Sequence, residues 1–150
     1  MHRAAKQPKV EIAKSTRAMR VPRKKLKALA AFVAEREGVT LGELDLAVVG
    51  RREMASLNRR YLGQARPTDV LSFDLSDARS HGLCAQIVVC ADVAVAQARA
   101  RGTGAQRELM LYVVHGLLHL MGYNDTSARG AARMAARQEQ LLEAFSKRRM

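Results

Sequence analysis

The stretch Leu109-Met-Leu-Tyr-Val-Val-His115-Gly-Leu-Leu-His119-Leu-Met-Gly122-Tyr-Asn-Asp125 is almost wholly apolar, yet it carries two histidines four residues apart. On a helix, positions i and i+4 lie one above the other on the same face. Two imidazoles so placed can grip one metal ion, as the histidines of H-E-x-x-H do. Gly122 suits the end of such a helix, because glycine readily takes the left-handed conformation that closes a C-terminus. The chain then turns, and Asp125 can bring its carboxylate back toward the imidazoles. Two nitrogens and one oxygen with an open fourth position make the usual ligand set of catalytic zinc. The alternative is a pair of packed core histidines. Burying two imidazoles is costly unless each nitrogen finds a partner. A metal on one nitrogen and a hydrogen bond on the other satisfies both, and this favours the metal.

The same stretch decides the fold. Thr103 and Gln106 have the spacing of a capping box, so a helix is expected from there to Met121. It is apolar nearly all round, which predicts a buried, central helix. Working outward, Ala85-Gln-Ile-Val-Val-Cys90 is an apolar run short enough for a buried strand, and Asp92 to Arg101 reads as a helix ending near Gly102. Pro67-Thr-Asp-Val-Leu-Ser-Phe73 has a loop start and a strand body, with Val70, Ser72 and Asp74 on one face and Leu71, Phe73 and Leu75 on the other. Thr68 and Asp69 are read as shaping this turn, and His81 as an exposed loop residue. Leu44 to Val49 and Val10 to Lys14 alternate as strands do. Between them, Pro22 suits a first helical turn, and Leu26, Leu29, Ala30 and Val33 recur at helical spacing. Arg51 to Leu62 is a short helix with Met54, Leu57 and Tyr61 facing inward. A last helix carries Met134, Leu141, Leu142 and Phe145 on one face. About four strands and five helices intermix, with no repeat and no linker. The expected fold is a single α/β domain over residues 1–150, a sandwich of a small mixed sheet with the metal helix at its centre; the basic segment 1–9 is expected to be disordered.

A chain of 150 residues, 48% of them apolar, can bury a core without staples. Lys and Arg exceed Asp and Glu by 26 to 14, leaving a net charge of +12 and a pI of 10.7. That balance favours nucleic acid or an anionic surface as a partner, with a merely soluble basic protein as the alternative. Arg59, Arg60 and Arg66 surround Gly63, and their planar forks suit phosphate; they are the candidate contacts to a nucleic-acid backbone, against the alternative of a solvated charge run. Lys24, Lys25 and Lys27 crowd a helix start and are read as solvated surface. The two cysteines, Cys84 and Cys90, would lie about 20 Å apart on one strand, beyond disulfide reach. They read as reduced thiols, so no disulfide-linked partner is expected. No apolar run is long enough to span a bilayer, no signal peptide is visible, and a cytoplasmic location is expected.

Two blocks of sequence carry a family resemblance. His115-Gly-Leu-Leu-His119-Leu-Met-Gly-Tyr123 resembles the signature His-Gly-x-Leu-His-Leu-x-Gly-Tyr-Asp-His of the YbeY family, and Leu57-Asn58-x-x-Tyr61 followed by Pro67-Thr-Asp-Val-Leu-Ser-Phe73 agrees with it. The resemblance runs from about Leu44 to Phe145. It implies a metal-dependent endoribonuclease of ribosomal RNA maturation, with one Zn2+ per chain held by His115, His119 and Asp125, and with ribosomal RNA and the ribosome as partners. The sequence departs from the family pattern at Asp125, where a third histidine is expected, and at Asn124, where aspartate is usual. Leu62 stands where the family has an arginine, and Ala85-Gln86 where Gly-Asp is common. The missing arginine removes a stabiliser of phosphate charge.

A metal at this site can lower the pKa of a bound water or polarise a phosphoryl oxygen. No side-chain base is assigned. Position 116 is Gly, where zinc peptidases place their general-base Glu. The readings are therefore a single-strand-specific endoribonuclease, an RNA- or ribosome-binding factor of the same fold with weak or no cleavage, and a zinc hydrolase of another substrate.

Overall fold

A computed structural model of the chain describes residues 7–63 and 68–148. In chain order the elements are β1 (Lys9–Lys14), α1 (Arg23–Glu37), β2 (Leu41–Val49), α2 (Arg51–Leu62), β3 (Val70–Asp74), β4 (Leu83–Cys90), α3 (Ala91–Arg101), α4 (Ala105–Leu120) and α5 (Ala128–Lys147). The strands form one mixed sheet in the order β1-β2-β4-β3. β1, β2 and β4 run parallel, and β3 runs antiparallel to β4 at the edge. Parallel neighbours need crossover connections, which α1 supplies between β1 and β2. β3 and β4 need only the polar loop that separates them.

The pleat sorts each strand's side chains onto two faces. Leu44, Leu46 and Val48 of β2 join Ala85, Ile87 and Val89 of β4 on one face, under α1, α4 and α5. On the other, Val49, Leu71, Val88 and Cys90 pack against Met54 of α2. The expected sandwich is thus observed, with α4 central: Leu109, Val113, Val114, Leu117 and Leu118 are all fully buried. Each such side chain stabilises the fold by about 1.5–3 kcal/mol relative to leaving it in water. Gly116 lies between the two histidines on the side of α4 that faces the sheet. A Cβ there would stand 3.2 Å from Ile87 Cδ1 and 3.3 Å from Val70 Cγ2. The missing side chain lets the helix lie close on β3 and β4.

Three details differ from the sequence reading. Thr103 does not cap α4, whose N-cap is Gly104 without a side-chain cap. The Thr103 N–H instead donates to Ala98 O at 2.9 Å, closing the end of α3, and Gln106 reaches Arg20 O. Tyr61 is 55% exposed rather than inward, because α2 ends at the rim of the sheet; its ring rests on Phe73 with centroids 5.1 Å apart. Lys9 already belongs to β1, while residues 1–6 of the segment expected to be disordered lie outside the described residues. Cys84 and Cys90 share β4 and are free thiols. No helix among the described residues is long and apolar enough to cross a membrane.

Candidate functional site

Glu108, Tyr112, His115 and His119 follow one another at four, three and four residues along α4, so they form a single polar stripe on an otherwise apolar helix. The stripe runs from a fully buried end at Glu108 to an open end at His119, whose side chain is 45% exposed. The two histidines are therefore not buried in the core, as the sequence suggested. Their side chains are 31% and 45% exposed, so a metal could reach them from solvent.

After His119 the helix closes with hydrogen bonds from Gly122 N to His119 O and from Tyr123 N to Leu118 O, and Gly122 takes the left-handed conformation with φ of 105°. The next residues are fixed from both sides. Asn124 Oδ1 accepts from Thr126 N at 2.9 Å, a side-chain turn of the kind Asn commonly makes. Ser127 then caps α5 by accepting from Gly130 N. Between these anchors Asp125 points back at α4. Its Oδ1 lies 3.4 Å from His119 Nε2 and its Oδ2 lies 3.9 Å from His115 Nε2. One donor atom from each of the three residues falls within 4.8 Å of the others. His115, His119 and Asp125 are thus brought together as the sequence reading expected.

Gln138 was not foreseen. From α5 its Oε1 lies 2.5 Å from His115 Nδ1. An amide oxygen accepts only, so Nδ1 donates in this bond and Nε2 is the ring nitrogen turned toward Asp125. Metal-ligating histidines are commonly held by such a bond on the far nitrogen. The signal was present: Gln138 interrupts the apolar face of α5, four residues after the buried Met134. The donor set and the fixed tautomer fit a divalent metal.

The turn is tied to the rest of the molecule through Tyr123. Its hydroxyl donates to Glu37 of α1, and this contact holds the phenol above its usual range. Arg137 of α5 grips the same carboxylate, with Nη2 to Oε2 at 2.8 Å. Burial pushes Glu37 up, but the bonds from Tyr123 and Arg137 outweigh it and its carboxyl sits below the usual range. Three elements, α1, α5 and the Asp125 turn, thereby share one charged junction.

A cavity of about 360 Å³ opens beside His115, lined among others by Asp69, Gln97, Arg101, Tyr112 and Gln138. Arg59 and Arg60 lie exposed at the C-terminal end of α2, and Arg66 lies outside the described residues. His81 is exposed in the loop before β4, as expected. Asp69 joins its backbone carbonyl to Cys90 N at 3.0 Å, a turn-shaping role, while also lining the cavity. Burial raises the Cys90 thiol above its ordinary range, so it is an inert packing group.

The family model described as Endoribonuclease YbeY matches residues 4–146 of this chain. A curated Endoribonuclease YbeY of a Nocardioides species is 36% identical over 134 residues, covering 83% of this chain and 90% of the relative. That of Moorella thermoacetica is 40% identical over 127 residues, covering 77% and 81%. A solution structure from Thermotoga maritima superposes with a TM-score of 0.62 at 27% identity, over 91% of this chain and 88% of that one.

Proposed function

This chain belongs to the YbeY family of endoribonucleases, and we propose that it hydrolyses single-stranded RNA at a metal held by His115, His119 and Asp125, in the maturation of ribosomal RNA. The observation that carries the reading is the convergence of Asp125 on His115 and His119, with the His115 tautomer set by Gln138. Two imidazoles and a carboxylate suit zinc, one ion per chain. When bound, such an ion polarises a phosphoryl oxygen and lowers the pKa of a water. The chain's own residues do the rest. Gln138 and the Asn124 turn hold the ligands in place, and His119 stands open to solvent. Arg59, Arg60 and Arg66 are proposed to contact the RNA backbone, in keeping with the net charge of +12. Ribosomal RNA within the ribosome, in the cytoplasm, is the proposed partner.

A second reading, an RNA-binding factor with weak cleavage, is favoured by Leu62. It stands where the family has arginine and leaves a 56% exposed apolar side chain at the end of α2. A zinc peptidase is disfavoured, because Gly116 is pressed on the sheet and can offer no base. The test is cleavage of a single-stranded ribosomal RNA fragment before chelation, after it, and after zinc is restored. Cleavage should vanish and return, and Leu62→Arg should raise it without changing metal content. RNA binding that persists through all three steps without any cut would establish the binding-factor reading instead.

A further inference from the structure

Arg101, in the last turn of α3, places Nη1 3.0 Å from Glu108 Oε1. The two ends of this ion pair differ sharply: the Arg101 side chain is 55% exposed and that of Glu108 is 1% exposed. A surface arginine is thus anchored by a buried carboxylate, and only Nη1 of its fork is engaged by hydrogen bonds among the described residues. Arg101 lines the cavity beside His115, and it is the one Lys or Arg among that cavity's described lining residues.

Two further atoms on the same stripe of α4 lack a match. The hydroxyl of Tyr112, a residue only 4% exposed, and Glu108 Oε2 are both buried with no hydrogen-bond partner among the described residues. Tyr112 lies on the same stripe of α4, one turn before His115, and lines the same cavity. Buried polar groups are nearly always paired, but these two oxygens lie too deep for a ligand to touch, so Arg101 is the member of this cluster that can reach one. A ligand with a single negative charge and several oxygens would pair with the exposed edge of the guanidinium. The Asp69 carboxylate on the same cavity disfavours a free phosphate dianion and suits a diester, whose sugar hydroxyls can donate to it.

We infer that Arg101 is a substrate-binding residue, its guanidinium taking an RNA backbone phosphate beside the site formed by His115, His119 and Asp125. This rests on the reading of the site as one that receives single-stranded RNA. Glu108 is then a positioning residue: it fixes the fork before substrate arrives, and a pre-organised arginine loses less freedom on binding.

The test uses the full chain with chelator present, so that binding is read without turnover. A short single-stranded RNA is titrated by fluorescence anisotropy across a range of salt, with inorganic phosphate as competitor and the melting midpoint measured in parallel. Arg101→Ala should weaken RNA binding about ten- to a hundredfold, as expected for a lost charged hydrogen bond. It should also lower the salt slope by about 0.7, the share of one phosphate contact on a single strand. Because Arg101→Ala leaves Glu108 unpaired, the double variant Arg101→Ala/Glu108→Gln and the single Arg101→Gln accompany it. Both should melt closer to the wild type and still bind weakly, whereas Arg101→Lys should recover part of the binding. Inorganic phosphate should compete poorly. If the folded double variant and Arg101→Gln bind RNA with wild-type affinity and slope, the pair is structural and the inference fails, whatever cleavage does. If they lose binding while wild type and a metal-ligand variant cut RNA equally, the inference stands and the metal-dependent reading fails.

Discussion

His119→Ala is expected to release the metal and abolish RNA cleavage while leaving the fold intact. The side chain is 45% exposed and contributes little to the core, so the loss should fall on the site alone. Removing a partner that merely holds a ligand typically costs about 10–100-fold in metal affinity; removing a ligand should cost more. His115→Ala should behave alike, with an added penalty because Gln138 loses its hydrogen-bond partner. Gln138→Ala should fall between these and the wild type. The checks are metal content after gel filtration, cleavage of a single-stranded RNA, and the melting midpoint with chelator present. A His119→Ala protein that keeps stoichiometric metal would remove this histidine from the ligand set. One that loses metal but cuts as before would separate the metal from the reaction.

Gly130→Ala is expected to weaken metal binding although Gly130 is no ligand. A Cβ at this position would lie 2.0 Å from the Asn124 carbonyl oxygen and 3.0 Å from Ser127 Oγ. The first of these is backbone and cannot swing away, so the turn that presents Asp125 must shift. Crowding of this kind costs about 1–3 kcal/mol of stability. A misplacement of roughly 1 Å at a site can cost on the order of a hundredfold in rate. Metal affinity by chelator competition and turnover should therefore both fall, more than the melting midpoint of the metal-free protein would suggest. If affinity and turnover stay at wild-type values, the close approach of Gly130 does not position Asp125.

Much of this arrangement was legible in the sequence. The apolar length of α4 fixed it as the central helix, and the four-residue step from His115 to His119 fixed a shared face. Asp125 followed from the turn at Gly122. What was missed depends on partners far apart in the chain. The capping box at Thr103 failed because α3 and α4 meet there, and the Thr103 N–H was needed to close α3. Local spacing cannot show which of two helices claims a residue. Tyr61 fits an inward helical position, but only tertiary packing reveals that α2 runs out at the edge of the sheet. Glu108 and Tyr112 lie in phase with the histidines, and a closer reading of the helix would have found the whole stripe. Gln138 was visible only as a polar break in an apolar face. Gly130 could not have been singled out, because its role arises from the return of the chain onto Asn124. The burial argument for the metal was also misplaced: the imidazoles are partly exposed, and the site is supported by convergence and tautomer rather than by desolvation.

His115, His119 and Asp125 are expected to bind one metal ion. Anomalous X-ray scattering, recorded above and below the zinc absorption edge from crystals of protein never exposed to chelator and supplied with zinc, tests it most directly. One edge-dependent peak should appear per chain, within bonding distance of His115 Nε2, His119 Nε2 and an Asp125 carboxylate oxygen. No peak between these atoms, or a zinc ion held elsewhere with the cluster occupied by water alone, would contradict it.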